Sequence, residues 1–95
     1  MRMQREVPFT YPHEGHLIHG IIDLVIEVDG EIFIIDWKSH ALNDFSENTL
    51  RKVVEEEDYN LQAKLYYEAA RRYFGAVKEV LFVFLRGPGV YRWNP

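Results

Sequence analysis

The stretch from Leu17 to Lys38 constrains the fold more than any other part of the chain. It reads LIHGIIDLVIEV, then Asp29-Gly30, then EIFIIDWK. Both arms are β-branched and aliphatic, and Asp-Gly between two such runs is the strongest short-range signal for a two-residue hairpin. Val28 then pairs with Glu31, which sets Asp23 opposite Asp36 and Ile21 opposite Lys38. Cross-strand partners share a face, with Cβ atoms about 4.5–5.5 Å apart. Asp36 and Lys38 share a face as well, by the two-residue period of a strand. In the returning strand Ile32 and Ile34 point one way while Phe33, Ile35 and Trp37 point the other. Apolar residues on both faces imply a central strand covered on both sides.

Around this hairpin the remaining elements follow from periodicity and turn residues. Val7 to Pro12 reads as a short strand ending in a turn near Pro12–Gly15, and His40 to Asn48 as a loop. Leu50 to Phe74 reads as helix in two pieces jointed near Asp58, with Leu61, Leu65 and Ala69 in one apolar row and Tyr66, Ala70 and Tyr73 beside it. Gly75 ends that helix. Glu79 to Arg86 is a further strand, Gly87-Pro88-Gly89 a turn, and Val90 to Trp93 an edge strand. The order β-β-β-α-β-β predicts an α/β layer sandwich, a mixed and mainly antiparallel sheet flanked by helix. Ninety-five residues make one domain, 1–95, able to bury roughly two-thirds of its unfolded surface.

Composition narrows the chemistry. With no cysteine, disulfides, thiolate zinc sites, iron–sulfur clusters and cysteine nucleophiles are excluded together. The apolar runs are strand-sized and broken by charge, so no membrane span is expected, and the start MRMQRE leads into no secretory signal. The expected location is cytoplasmic. The net charge of −4 counts against nucleic-acid binding by bulk electrostatics, so any grip on DNA needs metal ions, a local basic patch or a partner.

Two carboxylates and an ammonium on one patch of an aliphatic sheet call for an explanation. Like charges placed opposite each other destabilise a strand pair, and a shared proton, the lysine or a divalent cation could each offset that. Carboxylate oxygens with open water positions suit Mg²⁺ or Mn²⁺. Such an ion activates water and stabilises charge on a phosphate while a lysine steadies the transition state. A buried Asp–Lys ion pair beside a second aspartate would use the same residues.

GIIDLVIEVDGEIFIIDWKS resembles the signature of the PD-(D/E)xK nuclease superfamily in its RecB/AddA-like branch, whose pattern is G-x-I-D-L-V, a short turn, and a strand ending D-Y-K-[ST]. Gly20-Ile21-Ile22-Asp23 matches the first part and Asp36-Trp37-Lys38-Ser39 the second, with Trp in place of Tyr. Gln62 and Tyr66 match the branch's helical Q-x-x-x-Y, and VFLRGPGVY is similar to its following strand. The likeness runs from about Glu6 to Tyr91. It implies a restriction-endonuclease-like core, with Asp23 and Asp36 as carboxylate metal ligands, the backbone carbonyl of Trp37 as another, and Lys38 as the catalytic lysine. Gln62 and Tyr66, one helical turn apart, would lie near the active site or the DNA strand. A hydrogen-bonded pair packing helix on sheet is their plainer role.

Longer relatives carry an N-terminal helix with a Gly-x-x-x-His element that helps hold the metal. This sequence is expected to lack it, since His13, His16, His19 and His40 do not sit in that context. Glu6 stands near the metal or at a sheet edge, and His19 reads as a plain strand histidine. Arg86 and Ser39 are candidate DNA contacts, whereas Glu55-Glu56-Glu57-Asp58 reads as a solvated face. The resulting expectation is a metal-dependent deoxyribonuclease, exo- or endonuclease, of DNA recombination, repair or phage-type processing. The rival is a non-catalytic nuclease-like module that binds DNA or a protein. DNA is the expected partner, with a helicase or other repair subunit, or a homo-oligomer, as further candidates.

Overall fold

The computed structural model describes residues 1–87 and 89–95; Pro88, in the turn expected at Gly87-Pro88-Gly89, lies outside the described residues. Its elements run β1 (Arg2–His13), β2 (His16–Val28), β3 (Glu31–Lys38), α1 (Glu47–Glu56), α2 (Tyr59–Phe74), β4 (Val77–Phe84) and β5 (Gly89–Trp93). They form one five-stranded sheet in the order β1-β2-β3-β4-β5. Only β3 and β4 are parallel, joined by the two-helix crossover, and the other neighbours are antiparallel. This is the mixed, mainly antiparallel α/β sheet that the patterning predicts.

The β1–β2 and β2–β3 turns each place two consecutive residues at positive φ, Glu14-Gly15 at 48° and 79° and Asp29-Gly30 at 51° and 81°. That is the twist-matched geometry of a two-residue connection. β1 is longer than the expected Val7–Pro12, because the strongly polar start RMQR still pairs along β2. β4 sits two residues earlier than expected, over Val77–Phe84. The helical region also begins earlier: Ser46 caps α1, its Oγ accepting from Thr49 N. Asp58, in the left-handed region, breaks the region into two helices.

Both helices lie on one face of the sheet, where Ile22, Val25, Ile32, Ile34, Val80, Phe82 and Phe84 meet Leu50 and Val54 of α1 and Ala63, Tyr66, Ala69 and Ala70 of α2. The stripe of α2 that packs is therefore rotated from the expected Leu61–Leu65–Ala69 row, and Leu61 is exposed. Alanines let the helix backbone approach the sheet closely, and that closeness brings Gln62 and Tyr66 within reach of β3. The expected second cover over β3 is not there among the described residues. On that side Leu24 and Ile35 are buried by their strand neighbours, while Trp37 stays 44% exposed.

One irregularity shapes the site. The β1–β2 ladder skips Glu6 and Asp23 between the pairs Arg5↔Leu24 and Val7↔Ile22. Glu6 takes φ 51° there. Ile22 and Val25, three residues apart, are both in the core, which a strictly alternating strand does not allow. Asp23 thus stands at a bend where β2 changes the face it presents.

Candidate active site

Asp36 and Lys38 end the central strand on the helix-covered face. Asp36 is only 4% exposed. Lys38 Nζ lies 2.6 Å from Asp36 Oδ2 and donates to Gln62 Oε1 at 2.9 Å. Gln62 Nε2 donates to the Tyr66 hydroxyl at 2.9 Å, and that hydroxyl lies 3.2 Å from Asp36 Oδ1. The four side chains close a ring whose polarity is determined at every step. An ammonium only donates, so Gln62 turns its oxygen to Lys38 and its amide nitrogen to Tyr66, leaving the Tyr66 proton for Asp36. The Ile21 carbonyl stands 3.5 Å from the same hydroxyl.

The electrostatics follow from burial. Desolvation pushes the Asp36 carboxyl above its usual range, the neighbouring negative charge of Asp23 adds to this, and the hydrogen bond and charge of Lys38 oppose it. Burial raises the Tyr66 hydroxyl, and Asp36 raises it further, so it remains a protonated donor. Asp36 Oδ2 forms an ion pair with the Lys38 ammonium at 2.6 Å and takes no further hydrogen bond among the described residues. One ammonium meets that oxygen's charge, and its remaining lone pair is open to a further ligand.

Asp23 approaches from the other side of β3. Its Oδ2 accepts from Trp37 N at 2.9 Å. The direct pairing of Asp23 with Asp36 and of Ile21 with Lys38 is not formed, because the β2–β3 ladder ends at Leu24↔Ile35. The bend at Asp23 carries β2 away, and the aspartate side chain takes the N–H that a β2 carbonyl would otherwise accept. Ile21 points to solvent, 57% exposed. Within a strand the N–H and C=O of one residue face the same edge, so the Trp37 carbonyl is directed toward the Asp23 side. Asp23, Glu6, Arg5, Leu24 and Trp37 line an open cleft of about 460 Å³ there.

Ser39 is exposed just past β3, and Arg86 is exposed in the β4–β5 connection. Because β3 and β4 are parallel and Leu85 N donates to Lys38 O, Arg86 lies at the same end of the sheet as Lys38. Neither joins the ring. His19 is exposed on the hairpin and bonded to Thr10. Among the described residues no group of three or more His, Asp or Glu side chains clusters for a metal. The candidate donors are therefore two carboxylates and a backbone carbonyl.

Two residues at the site escape a reading of the sequence. Tyr59 places its ring under Lys38 Nζ, 3.8 Å from the centroid, and its hydroxyl is 2.8 Å from His40 Nε2. A signal is present for the first: Tyr59, Gln62 and Tyr66 fall at i, i+3 and i+7 on one helix face.

The family model of the PD-(D/E)XK nuclease superfamily matches residues 2–92, which takes in Asp23, Asp36, Lys38, Gln62 and Tyr66. The chain belongs to this superfamily. It is 34% identical over 94 residues to the RecB subunit of the RecBCD enzyme of Chlamydia trachomatis serovar D, covering 90% of this chain and 9% of that protein. Against an ATP-dependent helicase/nuclease subunit of Listeria innocua it is 34% identical over 82 residues, 72% of this chain and 7% of that one. Against the Escherichia coli K12 RecB protein it is 26% identical over 112 residues, covering 93% and 9%. The chain thus spans less than a tenth of the length of these relatives. Within the superfamily its branch is the RecB/AddA-like one, and its five-stranded mixed sheet with a two-helix crossover agrees with the restriction-endonuclease-like core.

Proposed function

We propose that this chain carries the catalytic site of a divalent-metal-dependent deoxyribonuclease. The observation that carries the reading is Asp36: a buried carboxylate beside Asp23 whose Oδ2 is paired with the Lys38 ammonium and takes no other hydrogen bond. The donor set is all oxygen, which suits a hard cation. Asp23, Asp36 and the Trp37 carbonyl would hold Mg²⁺ or Mn²⁺. When bound, such an ion lowers the pKa of a coordinated water and stabilises charge on phosphate oxygens.

The protein's own groups do the rest. Lys38 holds a positive charge beside Asp36, where it can donate from Nζ to a phosphate oxygen as negative charge builds up. Gln62 fixes the direction of that ammonium, and Tyr66 holds Asp36 in its rotamer through Oδ1. Arg86 and Ser39, exposed at the same end of the sheet, are the proposed DNA contacts. The names of the relatives, one from a RecBCD enzyme and one from a helicase/nuclease, support a role in recombination or repair beside a helicase. With a net charge of −4, attraction for DNA has to come from the ion, these local groups or a partner.

The test is cleavage of linear and circular DNA, single- and double-stranded, with Mg²⁺, Mn²⁺ or EDTA, comparing the parent with Asp36→Ala. Metal-dependent cutting that the variant loses supports the reading, and the circular substrates separate endonuclease from exonuclease. A second reading is a non-catalytic module that binds DNA or protein, and the acidic net charge favours its protein-binding form. A folded parent that cuts nothing, and whose melting temperature ignores millimolar Mn²⁺, would establish that second reading instead.

A further inference from the structure

Tyr59 opens α2 directly beneath the Lys38 ammonium, with Nζ 3.8 Å from its ring centroid. The same nitrogen meets Asp36 Oδ2 at 2.6 Å and Gln62 Oε1 at 2.9 Å. A group with three donors therefore faces a carboxylate, an amide oxygen and an aromatic face. The Lys38 side chain is only 11% exposed, so little water competes for it. Cation–π attraction is strongest when the cation is desolvated in this way.

Tyr59 is itself held from two directions. Phe82, fully buried, stacks on its ring at 5.5 Å and 26°. His40 Nε2 meets its hydroxyl at 2.8 Å, and the imidazole rests against Phe84 at 5.9 Å. His40 follows Lys38 by two residues, so one short segment supplies both the ammonium and the clamp on the ring beneath it.

We propose that Tyr59, fixed by His40 and Phe82, is a positioning residue that aims the Lys38 ammonium at Asp36 and the space in front of it. A lysine has four rotatable bonds, and Asp36 and Gln62 alone leave its head free to swing to solvent. The ring closes that escape. The kinetic part of this inference rests on the nuclease reading; the spectroscopic part does not.

The experiment is NMR of the Lys38 ammonium and its adjacent methylene in the labelled protein, joined to steady-state DNA cleavage. Protons over an aromatic face shift upfield, so the folded parent should show one lysine displaced upfield from the rest, assigned by its loss in Lys38→Ala. Tyr59→Leu should remove most of the shift, leaving what Phe82 gives at 5.4 Å, and lower kcat about tenfold at unchanged KM. Tyr59→Phe, which keeps the ring face and loses the His40 bond, should retain a weakened shift and a kcat only a few-fold below the parent, as for His40→Ala. If Tyr59→Leu does not fold, His40→Ala takes its place, with a weakened shift and a few-fold lower kcat expected.

A Lys38 signal among those of the exposed lysines in the folded parent overturns the proposal. So does a Tyr59→Leu variant with the parent's kcat, or a Lys38 signal that His40→Ala leaves unmoved. A displaced Lys38 in a parent that cuts no DNA would sink the nuclease reading and leave the positioning of Lys38 standing.

Discussion

The Tyr66 hydroxyl donates from the middle of α2 to Asp36 Oδ1 at 3.2 Å, tying the helix layer to the central strand of the sheet. Tyr66 is 7% exposed and its ring meets Phe9 edge-on at 5.6 Å, so the residue is at once core and part of the candidate site. Tyr66→Phe keeps the packing and removes only the hydroxyl. It leaves Asp36 with one fewer donor and Gln62 Nε2 without its acceptor. We expect a loss of about 1–3 kcal/mol in metal-free protein, read by urea unfolding. A variant as stable as the parent would show that water replaces the hydroxyl.

Asp36→Asn removes a charge that burial disfavours while keeping the side chain's shape. Desolvation raises the Asp36 carboxyl even beside Lys38, but the variant leaves the nearly buried Lys38 ammonium unpaired, so the metal-free variant should be destabilised by about 3 kcal/mol. Mn²⁺ should separate the two proteins. At a hundred times its Kd it would stabilise the parent by about 2.7 kcal/mol and leave the variant nearly unchanged. Equal Mn²⁺ responses in calorimetry would place the ion elsewhere.

Gly20 is needed for closeness. A Cβ there would lie 2.6 Å from Cε1 and Cζ of Phe9, a ring buried against Tyr66. Gly20→Ala should therefore cost about 1–3 kcal/mol through overpacking, and Phe9→Leu in the same chain should recover part of that loss. Additive effects in the double-mutant cycle would rule out the contact as the cause.

Asp44 supplies a pH dependence with a definite sign. Its Oδ1 accepts from Ser46 N, Ser46 Oγ and Thr49 Oγ1 at the start of α1, and the Ser46 and Thr49 bonds lower its carboxyl to about 2. A depressed carboxylate stabilises the fold above its unfolded value, roughly 3.9, and that stability fades as pH falls toward the folded value. Asp44→Ala should melt below the parent at pH 7, and the two melting temperatures should converge near pH 2. A gap that persists at pH 2 would point to packing instead of charge.

Much of the fold is legible in the sequence because its signals are local. Asp29-Gly30 specifies its turn through positive φ at two adjacent positions, and β3 runs from Glu31 to Lys38 as the pattern requires. The break at Asp58 and the cap at Gly75 likewise need only a few neighbouring residues. Less legible is the length of β1, whose polar first half pairs with β2 without an apolar pattern to announce it. The face of α2 that packs is also misjudged from the sequence, since leucines at Leu61 and Leu65 suggest a core stripe that the alanines in fact provide.

The same division runs through the site. By itself the sequence determined that Asp23, Asp36 and Lys38 lie on two strands of one hairpin, and that Gln62 and Tyr66 lie a helical turn apart. Only the tertiary structure decided how they meet. The Lys38–Gln62 and Tyr66–Asp36 bonds span 24 and 30 residues, and they form because the crossover lays α2 on β3 at alanine-close range. Asp23 reaches the Trp37 amide only because β2 bends where the ladder skips Glu6. Tyr59 and His40 converge on Lys38 for the same reason, as contacts between distant segments depend on how the layers dock, which no local backbone preference encodes.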